Sequence, residues 1–472
     1  MSERGAVPLM RSASRGLLRV VPPALWVVAA MLILPLLVAA ATYRGMLEPV
    51  ALGVAGVAAI VFTLVNPRLM LYLYVGFIPL EYVLVLDEVG TATRAIGAVF
   101  FAGYFLHRFG QVHLRTIPFV GWAFLAWALA SFTWAIDQTV ASEQLLTLVQ
   151  LFAMAVVVAD FAAEEPDVVR PVLVVYSVAT VASALVAVGV AALGGGIGAD
   201  RIGAFDTQDV AQFSALLVPA FLFLLVELFE WRRPLLAVSG LMIVAAGMIL
   251  SGTRSAWVAA AIGAAIIILP RIGRRALIPL VLLGLAGVAL FTMEDLQTLV
   301  VERLSTALSS GGTGRIDIWS VGLNIFSSNP LIGVGFGNFP VAFTPEVIRD
   351  TNVPGLEITV LDPGAGSHSI IIGTHTELGV IGFALLASFL WAAVASRGVG
   401  SAWSVVHASL VALLVQALFL DILNRKHVWL ILALVLGLIW REARNRRVVA
   451  AGEREVHEDF ARKVRSTWAP RT

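Results

Sequence analysis

The chain returns again and again to runs of about twenty apolar residues, the length a helix needs to cross the ~30 Å hydrocarbon core of a bilayer. Lipid offers no hydrogen-bond partners, so each run must close its backbone bonds internally, as a helix. Candidate runs lie near 24–43, 47–65, 69–86, 94–109, 117–136, 141–161, 168–193, 209–229, 235–251, 254–269, 276–292, 369–395, 402–423 and 428–440. The fourth and the last are short, so the expectation is about 12–14 transmembrane helices in an all-α, polytopic membrane protein. The strict polar–apolar alternation of a membrane barrel is absent. Only 13% of residues are charged, against ~25% in soluble domains. A net charge of +1 leaves no electrostatic footprint for nucleic acid, and the absence of cysteine excludes disulfides and thiolate metal sites.

Orientation follows from the basic residues of short loops. Arg4, Arg11, Arg15 and Arg19 precede the first run, and Pro22–Tyr43 is long for a cleaved signal. It reads as a retained first helix. With the N-terminus inside, Arg68, Arg108, Arg115, Arg170, Arg232, Arg233, Arg271, Arg397 and the Arg441–Arg447 cluster also fall inside. Far fewer fall outside: Arg44, Arg94, Arg201, Arg254, Arg425 and Lys426. Both termini are therefore expected in the cytoplasm. The organisation reads as N-terminal membrane helices (1–193), helices with arginine-bearing outer loops (194–292), a large extracytoplasmic loop (293–368), C-terminal membrane helices (369–440) and a basic cytoplasmic tail (441–472). The large loop contains Trp319, Phe326, Phe336, Phe339 and Phe343, so it is expected to fold, with one or two helices.

This topology gathers four polar islands on one membrane face. They are GGGIGADRIGAFDTQD at 194–209, SGTRSAW at 251–257, GRIDIW at 314–319 and GSHSIIIGTHTELG at 366–379. Arginine at membrane depth costs roughly 2.5–3.5 kcal/mol or more, so such a residue points to function. Arg201, Arg254 and Arg315 could also be interfacial or loop arginines. Converging, their guanidinium forks suit a phosphate or pyrophosphate. The outer carboxylates are scattered, with no pair spaced to hold a metal. His368 follows Gly364 and Gly366 and is the strongest candidate for proton transfer near neutral pH. His375 and Glu377, two residues apart on a helix, do not face each other and read equally as a polar pair between helices. His407 and Gln416 read as interhelical hydrogen bonders.

Together these motifs resemble the O-antigen ligase and Wzy-type O-antigen polymerase superfamily of bacterial glycan enzymes. The resemblance rests on SGTRSAW, GRIDIW, NPLIGVGFGNF at 329–339 and HSIIIGTHTELGVIGF at 368–383, with RIGAF at 201–205, and covers roughly 195–395. It implies a GT-C-like membrane glycosyltransferase that works without metal or cofactor. Its donor would be a glycan on undecaprenyl pyrophosphate. The acceptor would be lipid A–core for a ligase, the reading favoured, or another lipid-linked glycan for a polymerase. By motif, Arg254 and Arg315 would bind the pyrophosphate, with Arg201 beside them. His368 would be the general base and Glu377 a second catalytic residue. Ser369, His375 and Trp319 would support the site; Ser369 stands where the family often has Asn, and Gln208–Asp209 where it usually has Asn. The resemblance implies the bacterial cytoplasmic (inner) membrane, with the active site on its periplasmic side. An anion transporter is the reading from another class, though no two-fold repeat of interrupted helices is visible.

Overall fold

The computed structural model describes residues 60–81, 85–86, 90–193, 202–204, 209–230, 232–271, 315–351 and 363–467. The runs at 24–43 and 276–292, most of 47–65, Arg201 and the first part of the large loop lie outside the described residues.

Proline and polar caps set many of the helix ends. Helix α1 (Pro67–Phe77) opens with proline at its first turn, and the Asn66 side chain accepts the Leu69 N–H. It stops well short of the expected 69–86, because Pro79 has no N–H to continue the ladder. A small antiparallel hairpin follows, Val85–Leu86 paired with Gly90–Thr91. Then come α2 (Ala92–His107), α3 (Phe119–Ala130) and α4 (Gln138–Glu164). Asp137 caps α4 by accepting the N–H groups of Thr139 and Val140 at 2.8 and 3.2 Å. The middle of the bundle is α5 (Val169–Leu193), α6 (Val210–Phe229), α7 (Pro234–Leu250) and α8 (Arg254–Ile268). Asp209 caps α6 through the Ala211 N–H at 2.7 Å.

The described part of the large loop holds α9 (Arg315–Ser328) and two short helices, α10 (Phe339–Ala342) and α11 (Pro345–Asp350). It is folded around a core of its own, built on Val321, Ile325, Val334, Phe339 and Phe343. The chain returns in α12 (Ile370–Val394), α13 (Ser401–Ala417) and α14 (Lys426–Thr467), which continues well past Trp440.

Five of the described helices are long and apolar enough to cross a membrane, and three shorter ones are apolar. The protein is a polytopic α-helical membrane protein. In lipid, helices associate through close packing and polar contacts, and the small residues of α8 serve this: Ala259 and Ala260 are buried, and Gly263 meets Leu222 and Ala412.

The two ends of the bundle differ. At one end arginines meet carboxylates: Arg68 with Glu165, Arg108 with Asp160 at 3.3 Å, Arg170 with Glu227 at 2.7 Å, and Arg444 with Glu164. Those four arginines are ones the charge pattern puts inside. The other end carries the turn into α8, the loop helices, the start of α12 and the α13–α14 turn.

Candidate active site

The site is built around a broken helix. Inside α12, Gly379 has φ 68° and ψ −173°, and the helical ladder is interrupted there. Backbone groups freed within a membrane helix must find other partners. The segment Asn329–Asn338 supplies them. Its Val334 and Gly335 N–H groups donate to the carbonyls of Thr376 and Glu377, both at 2.9 Å, and Val380 N–H donates to the Pro330 carbonyl at 2.9 Å. The Trp127 indole donates to the Leu378 carbonyl at 3.0 Å.

The fit demands glycine at two facing positions. A Cβ on Gly379 would lie 2.2 Å from the Leu331 carbonyl carbon, and one on Gly333 would lie 2.4 Å from that of Glu377. Both also hold positive φ, the region that favours glycine. The motifs NPLIGVGFGNF and THTELG are thus two halves of one clasp.

The N-terminal half of the chain fastens this clasp. The Trp134 indole donates to the Ile332 carbonyl at 3.2 Å, and Phe336 N–H donates to the Ser131 hydroxyl at 3.0 Å. Asp137 N–H donates to the Asn338 side chain at 2.7 Å. The Glu377 carboxylate accepts the N–H of Phe339 at 3.2 Å and that of Gly337. It also lines a cavity of about 100 Å³ with Gln144, Ser367, Thr374, Asp421 and Asn424.

His368 stands at the rim. It is one of two non-glycine residues with positive φ among the described residues, at 47°. A histidine in this region is uncommon and draws attention to the turn. Its neighbours Gly366 and Ser367 line the cavity, although the imidazole does not. Two contacts hold the turn: the Trp319 indole donates to the Ser367 carbonyl at 3.2 Å, and the Ser367 hydroxyl donates to the Ser369 carbonyl at 3.1 Å. Ser369 is buried at the N-cap of α12 but makes no side-chain cap bond.

Burial lowers the His368 pKa below its ordinary value, and the Arg315 charge lowers it further, while Asp209 and Asp421 oppose them. At neutral pH the imidazole is thus neutral and ready to take a proton, with two carboxylates near enough to favour the cation once formed. Burial raises the Asp421 pKa; the Leu423 N–H, Arg425 and His368 hold it down.

The structure therefore brings His368, Arg315, Trp319 and Ser369 to one turn, with Glu377 on the adjoining cavity. Arg254 is the first residue of α8, after a tight turn in which Gly252 has φ 58° and the Ser251 hydroxyl donates to the Met248 carbonyl at 2.7 Å. It makes no hydrogen bond or ion pair with the other candidates among the described residues. Arg201 lies outside the described residues, but its neighbour Ile202 donates its N–H to the Leu250 carbonyl at 3.1 Å, against the Arg254 turn. His375 faces elsewhere: its ring stacks on Phe383 at 3.9 Å, meets the edge of Phe326, and hydrogen-bonds the Ile371 carbonyl. No three His, Asp or Glu side chains gather as metal ligands would among the described residues.

Residues 237–387 match the family model described as O-antigen ligase. That segment is similar to the O-antigen ligase and Wzy superfamily. It runs from α7 through the Arg254 turn, α9, the clasp and His368 to the middle of α12. No curated protein matches the chain. The matched segment covers about a third of the sequence and holds Arg254, Arg315, Trp319, His368 and Glu377. Gln144, Asp421 and Asn424 lie outside it, and so did they lie outside the sequence reading. The signal for Asp421 and Asn424 was there, as polar residues closing the apolar run at 402–423. Gln144 carries no such signal.

Proposed function

We propose that the protein transfers a glycan from undecaprenyl pyrophosphate to an acceptor hydroxyl at the outer face of the bacterial cytoplasmic membrane, with lipid A–core as acceptor. The observation that carries this reading is His368. Within the O-antigen ligase segment it sits in a left-handed turn, where burial and the Arg315 charge lower its pKa while Asp209 and Asp421 oppose them.

In this reading the acceptor oxygen attacks the anomeric carbon of the donor sugar. Its proton passes to the His368 imidazole as the carbon–oxygen bond to pyrophosphate breaks. Undecaprenyl pyrophosphate leaves from the opposite side, so the anomeric centre inverts. Charge accumulates on the leaving group, and in this reading Arg315 and Arg254, with Arg201 carried over by motif, supply the cations that stabilise it. Arg315 opens α9 and Arg254 opens α8, and helix N-termini favour anions. Because the arginines supply the positive charge, the reaction needs no metal or cofactor. Asp209 and Asp421 favour the imidazolium that forms. Glu377 holds the wall of the cavity by accepting Phe339 and Gly337 N–H, and that cavity is where the acceptor lies. The donor's lipid tail stays in the bilayer and its head reaches the site sideways, as the GT-C-like architecture implied by the motifs would allow.

The test is glycan transfer by the purified protein in lipid, given an undecaprenyl-pyrophosphate glycan with lipid A–core or with a second lipid-linked glycan. Transfer to lipid A–core is the expected result. Elongation of the lipid-linked glycan alone would make the protein a polymerase. Movement of donor across the bilayer with no covalent change would overturn the transferase reading.

A further inference from the structure

A second cavity, of about 280 Å³, is larger than the one at Glu377. It lies where the start of α2, the middle of α4 and the start of α14 meet, outside the O-antigen ligase segment. Its wall carries Arg94, Arg425 and Lys426, with Glu81 as the one carboxylate among its described lining residues. Glu81 is already engaged, by the Lys426 ammonium and by the Thr91 hydroxyl at 2.8 Å. Arg94 donates to the Thr147 hydroxyl. Asp421 interacts with Arg425 from the neighbouring cavity. Among the described residues, Arg94 and Lys426 then stand against Glu81 alone, leaving an excess of positive charge at the cavity wall. Charges removed from water are costly unless paired, and an anionic ligand would supply the pairing.

The chamber is wider than an inorganic anion needs and close to the ~300 Å³ lower end of small-molecule pockets. Gln150 offers it a neutral hydrogen-bonding group, and Phe101 lines it with ring surface. That mixture suits the hydroxyls and C–H face of a sugar. It is also next door to the chemistry. Gln144 and Asn424 line both cavities, and the Asn424 amide donates to the Gln144 side-chain oxygen at 2.8 Å, forming the partition between them.

We infer that this chamber is a second substrate site, which takes the carboxylate or phosphate of an anionic sugar carried by the acceptor glycan. The word acceptor rests on the transferase reading above. The binding of an anionic sugar does not. The donor's pyrophosphate has its own arginines at α8 and α9, so the two anionic groups would be held by separate cations.

The experiment is calorimetric binding to the full chain in lipid nanodiscs, with glucose 6-phosphate, glucuronate, glucose and inorganic phosphate as probes. Glucose 6-phosphate or glucuronate should bind, and glucose should not bind at the same concentrations. Arg94→Gln should weaken that binding by about tenfold or more, the loss of one charge-assisted contact. Gln150→Glu, which adds a carboxylate to the chamber at nearly constant shape, should weaken it similarly and serves if Arg94→Gln fails to fold. Arg315→Gln should leave it unchanged. Binding that survives Gln150→Glu, or that is lost in Arg315→Gln, would overturn the inference. Inorganic phosphate binding as tightly as glucose 6-phosphate would also overturn it, since the sugar would then contribute nothing. Glycan transfer measured on the same preparations separates the two claims. Transfer without probe binding sinks the chamber alone, and probe binding without transfer sinks the transferase reading alone.

Discussion

His368 and Glu377 lie on one short stretch of chain, yet their surroundings are opposites. Around Glu377 the backbone is fully engaged. The clasp Asn329–Asn338 answers the broken turn of α12 bond for bond, and facing glycines leave no room for a side chain. Around His368 the backbone is strained, and the imidazole meets charges of both signs. The first region fixes the second. Trp319 and the start of α12 hold the ends of the His368 turn, and the clasp holds α12 to the N-terminal helices. Rigidity and reactivity are divided between neighbours. Variants should therefore split into those that unfold the site and those that leave it folded and silent.

The largest loss of stability is expected for Gly379→Ala. Its Cβ would sit 2.2 Å from backbone, at positive φ. The cost should be about 3 kcal/mol or more, read as a lower Tm or as failure to recover folded protein. Wild-type stability in this variant would mean that the clasp can yield. Arg315→Lys should do the reverse, keeping the fold and losing transfer by about tenfold or more, because an ammonium cannot reproduce a bidentate fork. Wild-type turnover there would remove Arg315 from the pyrophosphate role.

Acidity sharpens the contrast. The base must be neutral, and the His368 pKa lies below the usual ~6.5. Transfer should hold steady down to about pH 6.5 and fall only below it. Because Arg315 helps to lower that pKa, the residual activity of Arg315→Gln should begin to fall at a higher pH than in the wild type. An unmoved acid limb would separate the two residues. Trp319→Phe, which removes the donor to the Ser367 carbonyl, should cost only about 1 kcal/mol, seen in kcat more than in KM. The smallest effect is expected from EDTA, which should leave transfer unchanged; loss on chelation with recovery on Mg²⁺ would contradict the arginine-based mechanism.

Much of the bundle was legible in the apolar runs. The runs at 168–193 and 369–395 correspond to Val169–Leu193 and Ile370–Val394, because a membrane helix must be both apolar and continuous. The same rule hid the break in α12. A glycine in an apolar run reads as ordinary helix, and only the partner strand at Pro330–Gly335 shows why the ladder is interrupted at Gly379. The large loop declared its folding through its aromatics, of which Phe339 and Phe343 now stack at 5.7 Å. The partners of the clasp at Ser131, Trp134 and Asp137 were not legible, since pairings across two hundred residues leave no trace in local spacing. Gln144 escaped for the same reason, and with Asp421 it joins the N-terminal and C-terminal helices to the cavity at Glu377.

The most direct measurement is single-turnover glycan transfer by wild type and His368→Ala in lipid, with donor binding measured on both. The account predicts that donor binding and Tm stay close to wild type while transfer falls by about 10²–10⁴-fold, the usual contribution of a positioned base. Transfer at the wild-type rate in His368→Ala, with donor bound, would contradict it.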